Sequence, residues 1–198
     1  GIERISGTLG SGDDTVVAAV IFSSLLNGGD GTDSLTQDYS NAFYTNSNGS
    51  YPIIRIGMGT DANGNVDSLR YWWGVTSDQT ISLLNFESFN ITGTSGNDTL
   101  YGGDAGNRLY GLGGIDALYG GAGIDLLDGG DGDDYLGDVG FGDIIEGGAG
   151  LDRLDFDFLE QTQDLTINIQ TGEVTGGSWL GIERISGTLG SGDDTVVA

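Results

Sequence analysis

Aspartate recurs at multiples of nine residues through the centre of this 198-residue chain. The series is Asp98, Asp116, Asp125, Asp134, Asp143 and Asp152, with Asn107 in the one place where an aspartate is missing. The five residues before each of them contain at least two glycines. A carboxylate beside a turn rich in backbone carbonyls offers the oxygen ligands that calcium prefers, at about 2.3–2.6 Å. The spacing therefore predicts a row of calcium-binding turns.

The nine-residue frame runs from Gly93 to Asp155 for seven repeats. Position eight of every repeat is a large apolar residue: Leu100, Leu109, Leu118, Leu127, Leu136, Ile145 and Leu154. Glycines in the first positions permit left-handed backbone angles and let carbonyls point inward. The last three positions predict a short strand whose position-eight side chain faces a core.

Two such repeats make one 18-residue coil with a turn at each end. Stacked coils lie about 4.8 Å apart, the spacing of neighbouring strands. A calcium ion between two stacked turns could therefore reach both of them. The frame predicts two ladders of position-six residues, Asp98–Asp116–Asp134–Asp152 on one edge and Asn107–Asp125–Asp143 on the other.

Two further copies stand outside this block. Residues 28–36 (GGDGTDSLT) match every position of the pattern, and residues 9–17 (LGSGDDTVV) match it in part. Residues 18–27 fill the place of the repeat between them, which predicts a strand there without a calcium turn. The predicted ligands of several calcium ions are Gly10, Gly12, Asp14, Gly28, Asp30, Gly31, Asp33, Gly93, Ser95, Gly96, Asp98, Gly102, Asp104, Asn107, Gly111, Gly113, Gly114, Asp116, Gly120, Ala122, Gly123, Asp125, Gly129, Asp131, Gly132, Asp134, Gly140, Asp143, Gly147, Ala149, Gly150, Asp152 and Asp194.

The pattern resembles the RTX family (repeats-in-toxin, hemolysin-type), whose consensus is G-G-x-G-x-D-x-U-x with U a large apolar residue. Three of the seven repeats match every consensus position. The resemblance is close over residues 93–155 and looser over 7–36 and 187–197. It implies an all-β fold, a right-handed parallel β-roll or β-solenoid with calcium-binding turns. It also implies type I secretion from a Gram-negative bacterium and folding on meeting external calcium.

Two turns depart from the consensus. The second repeat has Ala105 and Asn107 where glycine and aspartate are expected, and the sixth has Asp138, Val139 and Phe141 where glycines are expected. These departures predict weak or empty calcium sites in those turns.

A longer repeat surrounds the nonapeptides. Residues 1–18 and 181–198 are identical, which predicts a tandem array of 180-residue units that stack on their neighbours. Within one continuous unit, we expect first RTX turns and a seam at 1–36, a β-rich insert at 37–92, the β-roll at 93–155, and closing strands with the start of the next unit at 156–198.

The insert breaks the nine-residue frame. Residues 51–57, 69–75 and 80–84 predict strands, arranged either as a hairpin or as wider coils, with a turn at 61–65. Acid and amide side chains alternate from Asp61 to Asp67, as in a calcium loop, but the glycine is misplaced and no bidentate glutamate follows. An ordinary polar turn is the favoured interpretation.

Charge and composition exclude several classes of function. The chain carries 30 acidic and 6 basic residues, for a net charge of −24, and has no cysteine or histidine. Nucleic acid is excluded as a partner because phosphate binding needs basic surface. Disulfides, thiol chemistry and histidine zinc sites are also excluded. The longest apolar run, residues 16–22, is too short for membrane insertion.

The favoured function is a calcium-binding structural repeat, an adhesin-like spacer in a secreted or cell-surface bacterial RTX protein that folds on calcium after export. The alternatives are an accessory module of a secreted RTX enzyme and a carbohydrate-binding module, the latter resting on Trp72 and Trp73. No enzyme activity is expected, since the sequence contains neither HExxH nor G-x-S-x-G.

Overall fold

A computed structural model of the chain describes residues 7–18, 25–27, 30–40, 57–60, 66–73, 77–84 and 86–197. Strands are the only regular elements among these residues, which confirms the all-β prediction. In this part of the chain, no helix has the length and apolar character needed to cross a membrane.

The twenty strands of the described residues are short, as a nine-residue repeat requires. They are β1 (Gly7–Thr8), β2 (Thr15–Ala18), β3 (Leu25–Asn27), β4 (Ser34–Asp38), β5 (Gly57–Thr60), β6 (Val66–Trp73), β7 (Ser77–Leu84), β8 (Ser88–Thr92), β9 (Thr99–Tyr101), β10 (Arg108–Gly113), β11 (Ala117–Tyr119), β12 (Leu126–Asp131), β13 (Tyr135–Val139), β14 (Ile144–Ala149), β15 (Arg153–Asp157), β16 (Thr166–Asn168), β17 (Glu173–Val174), β18 (Gly177–Leu180), β19 (Arg184–Thr188) and β20 (Thr195–Val197).

The nonapeptides wind between two parallel sheets. Strands β8, β10, β12 and β14 are neighbours in one sheet, and β9, β11, β13 and β15 are neighbours in the other. Leu118 pairs with Leu100 on one side and with Leu136 on the other, so each strand lies 18 residues from its neighbour. This register confirms the predicted 18-residue coil and the parallel arrangement, while the handedness of the roll stays a prediction.

Position eight forms the core between the two sheets. The seven position-eight side chains are at most 1% exposed, and their neighbours in the short strands point outward. Full burial of such a side chain contributes roughly 1.5–3 kcal/mol. Leu35, Phe89 and Trp179 extend the same core along the coil axis. Outside the core, the rings of Tyr101 and Tyr119 stack at 4.5 Å, as expected for equal positions one coil apart.

The closing segment contains strands, as expected, but two of its neighbouring pairs are antiparallel. Strand β16 lies antiparallel to β17, and β17 lies antiparallel to β18. Strand β18 is the one that stacks on β14, where Trp179 pairs with Ile145. Gly172, with a φ of 69°, lies in the turn that reverses the chain, so a hairpin adds two strands to this sheet.

The insert also combines antiparallel strands with a parallel junction. Strands β5, β6 and β7 are antiparallel neighbours, and β7 pairs in parallel with β3. The strands predicted at 69–75 and 80–84 correspond to β6 and β7. Residues 51–56 and 61–65, with the predicted turn, lie outside the described residues, and so do the side chains of Trp72 and Trp73.

Candidate calcium sites in the turns

A hydrogen-bond ladder links the position-six residues of successive coils. Each carboxylate accepts, at Oδ1, the backbone N–H of the position-six residue one coil earlier. On one edge these bonds run from Asp98 to Asp116 (2.6 Å), from Asp116 to Asp134 (2.8 Å) and from Asp134 to Asp152 (2.8 Å). On the other edge they run from Asn107 to Asp125 (2.7 Å) and from Asp125 to Asp143 (2.8 Å). The two predicted ladders are therefore both present.

The second carboxylate oxygen has no hydrogen-bond partner in four of these turns or in the earlier turn that contains Asp33. Within the described residues, buried Oδ2 atoms without a hydrogen bond belong to Asp33, Asp116, Asp125, Asp134 and Asp152. All five side chains are at most 2% exposed. Burial of an unpaired carboxylate oxygen is costly, which makes a cation at these positions energetically favourable.

Carbonyl oxygens share the space that these unpaired oxygens face. A methyl group built on Gly129 would lie 2.5 Å from Asp134 Oδ2 and 2.5 Å from the carbonyl oxygen of Gly147, one coil further on. Gly120 holds a similar space 2.7 Å from Asp125 Oδ2. Among the described residues, no three acidic side chains converge on one point, so a cation here would take at most two carboxylates, together with backbone carbonyls.

Burial raises the pKa of these carboxyl groups. The pKa of Asp116 and that of Asp125 rise to about 7, and the pKa of Asp134 rises to about 6, chiefly through desolvation. The N–H of the preceding coil lowers each pKa, while the charges of Asp98 and Asp134 raise that of Asp116 further. Burial also raises the pKa of Asp152. Without a cation, burial therefore disfavours the ionised form of each of these carboxyl groups relative to its form in the unfolded chain.

Asn107 places a hydrogen-bond donor where the other turns have an unpaired oxygen. Its Nδ2 donates to the carbonyl of Ala105 (2.5 Å), and lies 3.2 Å from the carbonyl of Gly120 and 3.3 Å from that of Gly103. Three carbonyls thus converge on this amide from positions two and four of its own repeat and from position one of the next coil. The same Nδ2 lies 2.9 Å from Asp125 Oδ1. The two N–H groups of the amide are thus shared among these acceptors where other turns would need a cation, which is a physical reason to expect no calcium in this turn.

Two other carboxylates have both oxygens occupied. Asp143 Oδ2 accepts the N–H of Gly140 (2.7 Å), and Asp98 Oδ2 accepts the N–H of Thr94 (2.6 Å). Asp138, at position one of the sixth repeat, has a φ of 51°, in the left-handed region. The sixth turn therefore differs from its neighbours in its backbone, because none of the position-one glycines from Gly93 to Gly147 has a positive φ. Its carboxylate also lacks the unpaired Oδ2 that most of the other turns have.

Two glutamates take the place of aspartate in the ladders, and they are absent from the predicted ligands. Glu87 Oε2 accepts the N–H of Asp33 (2.9 Å), and Glu183 Oε2 accepts that of Asp152 (2.8 Å). Their spacing from the next core residue could have predicted them. Glu87 precedes Phe89 by two positions and Glu183 precedes Ile185 by two, just as position six precedes position eight.

Several other predicted ligands can be placed by their hydrogen bonds or exposure. Asp14 donates its N–H to Asp33 Oδ1 (2.8 Å), and Asp194 Oδ1 accepts the N–H of Leu165 (3.0 Å). Both aspartates therefore make hydrogen bonds of the ladder type. The carbonyls of Asp131 and Ala149, at position three, accept the N–H groups of the preceding coil, and the side chains at this position are partly or fully exposed. Gly28 lies outside the described residues.

Comparison with known proteins agrees with this geometry. The family model of the RTX calcium-binding nonapeptide repeat, four copies in length, matches residues 90–118 and 110–137. No curated protein matches the chain. The matched segment contains the ladder residues from Asp98 to Asp134 and the core residues from Leu100 to Leu136. Within residues 90–137, this chain therefore carries RTX calcium-binding nonapeptide repeats.

Proposed function

We propose that the chain is a calcium-binding structural repeat module in which the ions lie between stacked turns. The observation that carries this proposal is the set of buried carboxylate oxygens without hydrogen bonds. Those of Asp116, Asp125, Asp134 and Asp152 each face a space that they share with a backbone carbonyl of the next coil. Asp33, Asp116, Asp125, Asp134 and Asp152 would hold the ions. Bound calcium supplies the positive charge that lets these carboxylates stay ionised, and the chain's own glycines leave the space for it.

Calcium would act as a folding switch after export. With a net charge of −24, the chain resists compaction where calcium is scarce, and binding free energy becomes folding free energy where calcium is abundant. RTX proteins are typically secreted by type I systems, so this module belongs in a secreted or cell-surface bacterial protein. The two identical 18-residue segments support a role as an adhesin-like spacer, since repeated modules add length rather than new chemistry.

Replacing one ladder aspartate tests the proposed ligands. Asp134→Asn should lower the calcium stoichiometry, measured by isothermal titration calorimetry at pH 7.5, by about one ion per chain, because an amide at position six supplies a donor instead of a ligand. Glu146→Gln is the matched control. It also removes one negative charge, but from an exposed strand position, and it should leave the stoichiometry unchanged. Equal losses in both variants would mean that the chain attracts calcium by net charge alone.

The converse substitution tests the reason given for the Asn107 turn. Asn107→Asp should add about one calcium ion per chain, because it replaces the amide donor with a carboxylate oxygen facing three carbonyls. The control is Asn97→Asp, which adds the same charge at an exposed turn position where the equivalent residue two coils away, Asp133, is already an acid. An unchanged stoichiometry in the Asn107 variant would contradict the assignment of these carbonyls.

A further inference from the structure

The same 18-residue segment is placed in two different surroundings. Residues 1–18 and 181–198 are identical, and equivalent residues differ in number by 180. The structure describes both copies from position 7 to position 17 of the segment. The first copy has a coil after it, and the second has a coil before it, so the pair shows what each face of one segment can bind.

The first copy makes its hydrogen bonds to the coil that follows. Strand β2 pairs in parallel with β4. Asp14 donates its N–H to Asp33 Oδ1 (2.8 Å), and its carbonyl accepts the N–H of Ser34 (2.9 Å). Asp13 Oδ1 accepts the N–H of Thr32 (2.9 Å).

The second copy makes its hydrogen bonds to the coil that precedes it. Strand β20 pairs in parallel with β16. Asp194 Oδ1 accepts the N–H of Leu165 (3.0 Å), and Thr195 donates its N–H to the Leu165 carbonyl (2.8 Å). Asp193 donates its N–H to Asp164 Oδ1 (2.9 Å).

These two sets of bonds use different atoms of the segment. Toward the following coil, the segment uses the N–H and carbonyl of its second aspartate and the carboxylate of its first. Toward the preceding coil, it uses the carboxylate of its second aspartate, the N–H of its first and the N–H of the threonine. One segment can therefore make both sets at once, between two coils.

Within the part of the chain that the structure describes, the second copy leaves an unpaired edge with apolar surface. Strand β20 ends the ten-stranded sheet, and β19 ends a five-stranded sheet. Val196 is 49% exposed, whereas its equivalent, Val16, pairs with fully buried Leu35 and packs against the core. An open edge that carries apolar side chains favours pairing with another strand.

We propose that the open edge formed by β19 and β20 binds β3 and β4 of a second copy of the unit. The register would be that of the first copy, with Thr195 beside Ser34 and Val196 beside Leu35 of the second copy. Consecutive units then join without a linker, and the roll continues through the shared segment. This inference rests on the proposed role as a repeated module, but it depends on strand pairing and not on the number of calcium ions.

Thiol labelling tests this junction in the intact chain, because the protein has no cysteine of its own. Val196→Cys is placed in the 198-residue chain and in an extended chain that repeats residues 19–198 after Ala198. In saturating calcium, labelling of this thiol with a maleimide should be at least about tenfold slower in the extended chain. Val197→Cys is the control. Its equivalent in the first copy, Val17, is 74% exposed although β4 covers that copy, so its labelling should change little.

Circular dichroism and the calcium stoichiometry are recorded on the same samples. If the added residues form β-structure and the Val196→Cys thiol is labelled at the same rate in both chains, the junction is refuted, whatever the calcium result. The junction is equally refuted if the added residues stay unfolded, because the same residues fold after the identical segment within the 198-residue chain. A loss of calcium binding with slow labelling would overturn the proposed function and leave the junction standing.

Discussion

In a chelator at neutral pH, the chain is expected to lose most of its β-structure, and millimolar calcium is expected to restore it. The ladders place buried carboxylates one coil apart, about 4.8 Å, the spacing of stacked strands. Each ladder aspartate with an unpaired Oδ2 loses hydration on folding and gains no donor for that oxygen. Far-ultraviolet circular dichroism across a calcium titration measures the transition directly.

Two controls separate coordination from simple screening of charge. Sodium chloride at matched ionic strength screens the net charge of −24 but supplies no divalent cation for the carboxylates and carbonyls to coordinate. Magnesium prefers octahedral geometry at about 2.0–2.1 Å and keeps its waters, so it fits a carbonyl-rich turn poorly. Neither salt should restore the calcium spectrum. A chain that is equally rich in β-structure in chelator and in calcium would refute the switch.

The regular part of this fold could be predicted from the sequence because it obeys one period. A position-eight leucine every nine residues can reach a common core only if two repeats close one coil. The 18-residue register between Leu100, Leu118 and Leu136 follows from that condition. The ladder of position-six residues then follows from the same register, and the structure contains it.

The irregular parts could not be predicted because period alone does not choose between strand directions. Residues 165–169 have the alternation of a strand whether they stack on β14 or fold back through Gly172, and the second arrangement occurs. Glu87 and Glu183 were not among the predicted ligands because their surroundings lack the glycine pattern, although each lies two positions before a core residue, as position six does. The role of the Asn107 amide depends on which carbonyls surround it, and this is a property of the stacked coils.

Lowering the pH in the absence of calcium is expected to stabilise the roll. The pKa of Asp116 and that of Asp125 rise from 3.8 to about 7 on folding, and that of Asp134 rises to about 6. The folded chain therefore binds more protons than the unfolded chain between about pH 4 and pH 7, and the free energy of unfolding falls as pH rises through this window. The stabilisation is complete below the ordinary pKa and is lost near neutrality. Far-ultraviolet circular dichroism in chelator, recorded from pH 8 down to about pH 5, measures the β-structure that returns as the carboxylates take up protons.

The Asn107 turn shows how a neutral side chain at position six can stabilise a turn without calcium. The same substitution can therefore be tested at the ladder aspartates. A protonated aspartate, like an asparagine, offers a donor to the converging carbonyls in place of a cation. A chain with Asp116→Asn, Asp125→Asn and Asp134→Asn should therefore be more stable than the parent in chelator at pH 8, should lose most of the pH dependence, and should gain less from calcium. Glu146→Gln should keep the parent's behaviour in all three respects. If the triple variant were less stable than the parent in chelator, the ladder carboxylates would favour the metal-free fold, and repulsion between them could not be what calcium relieves.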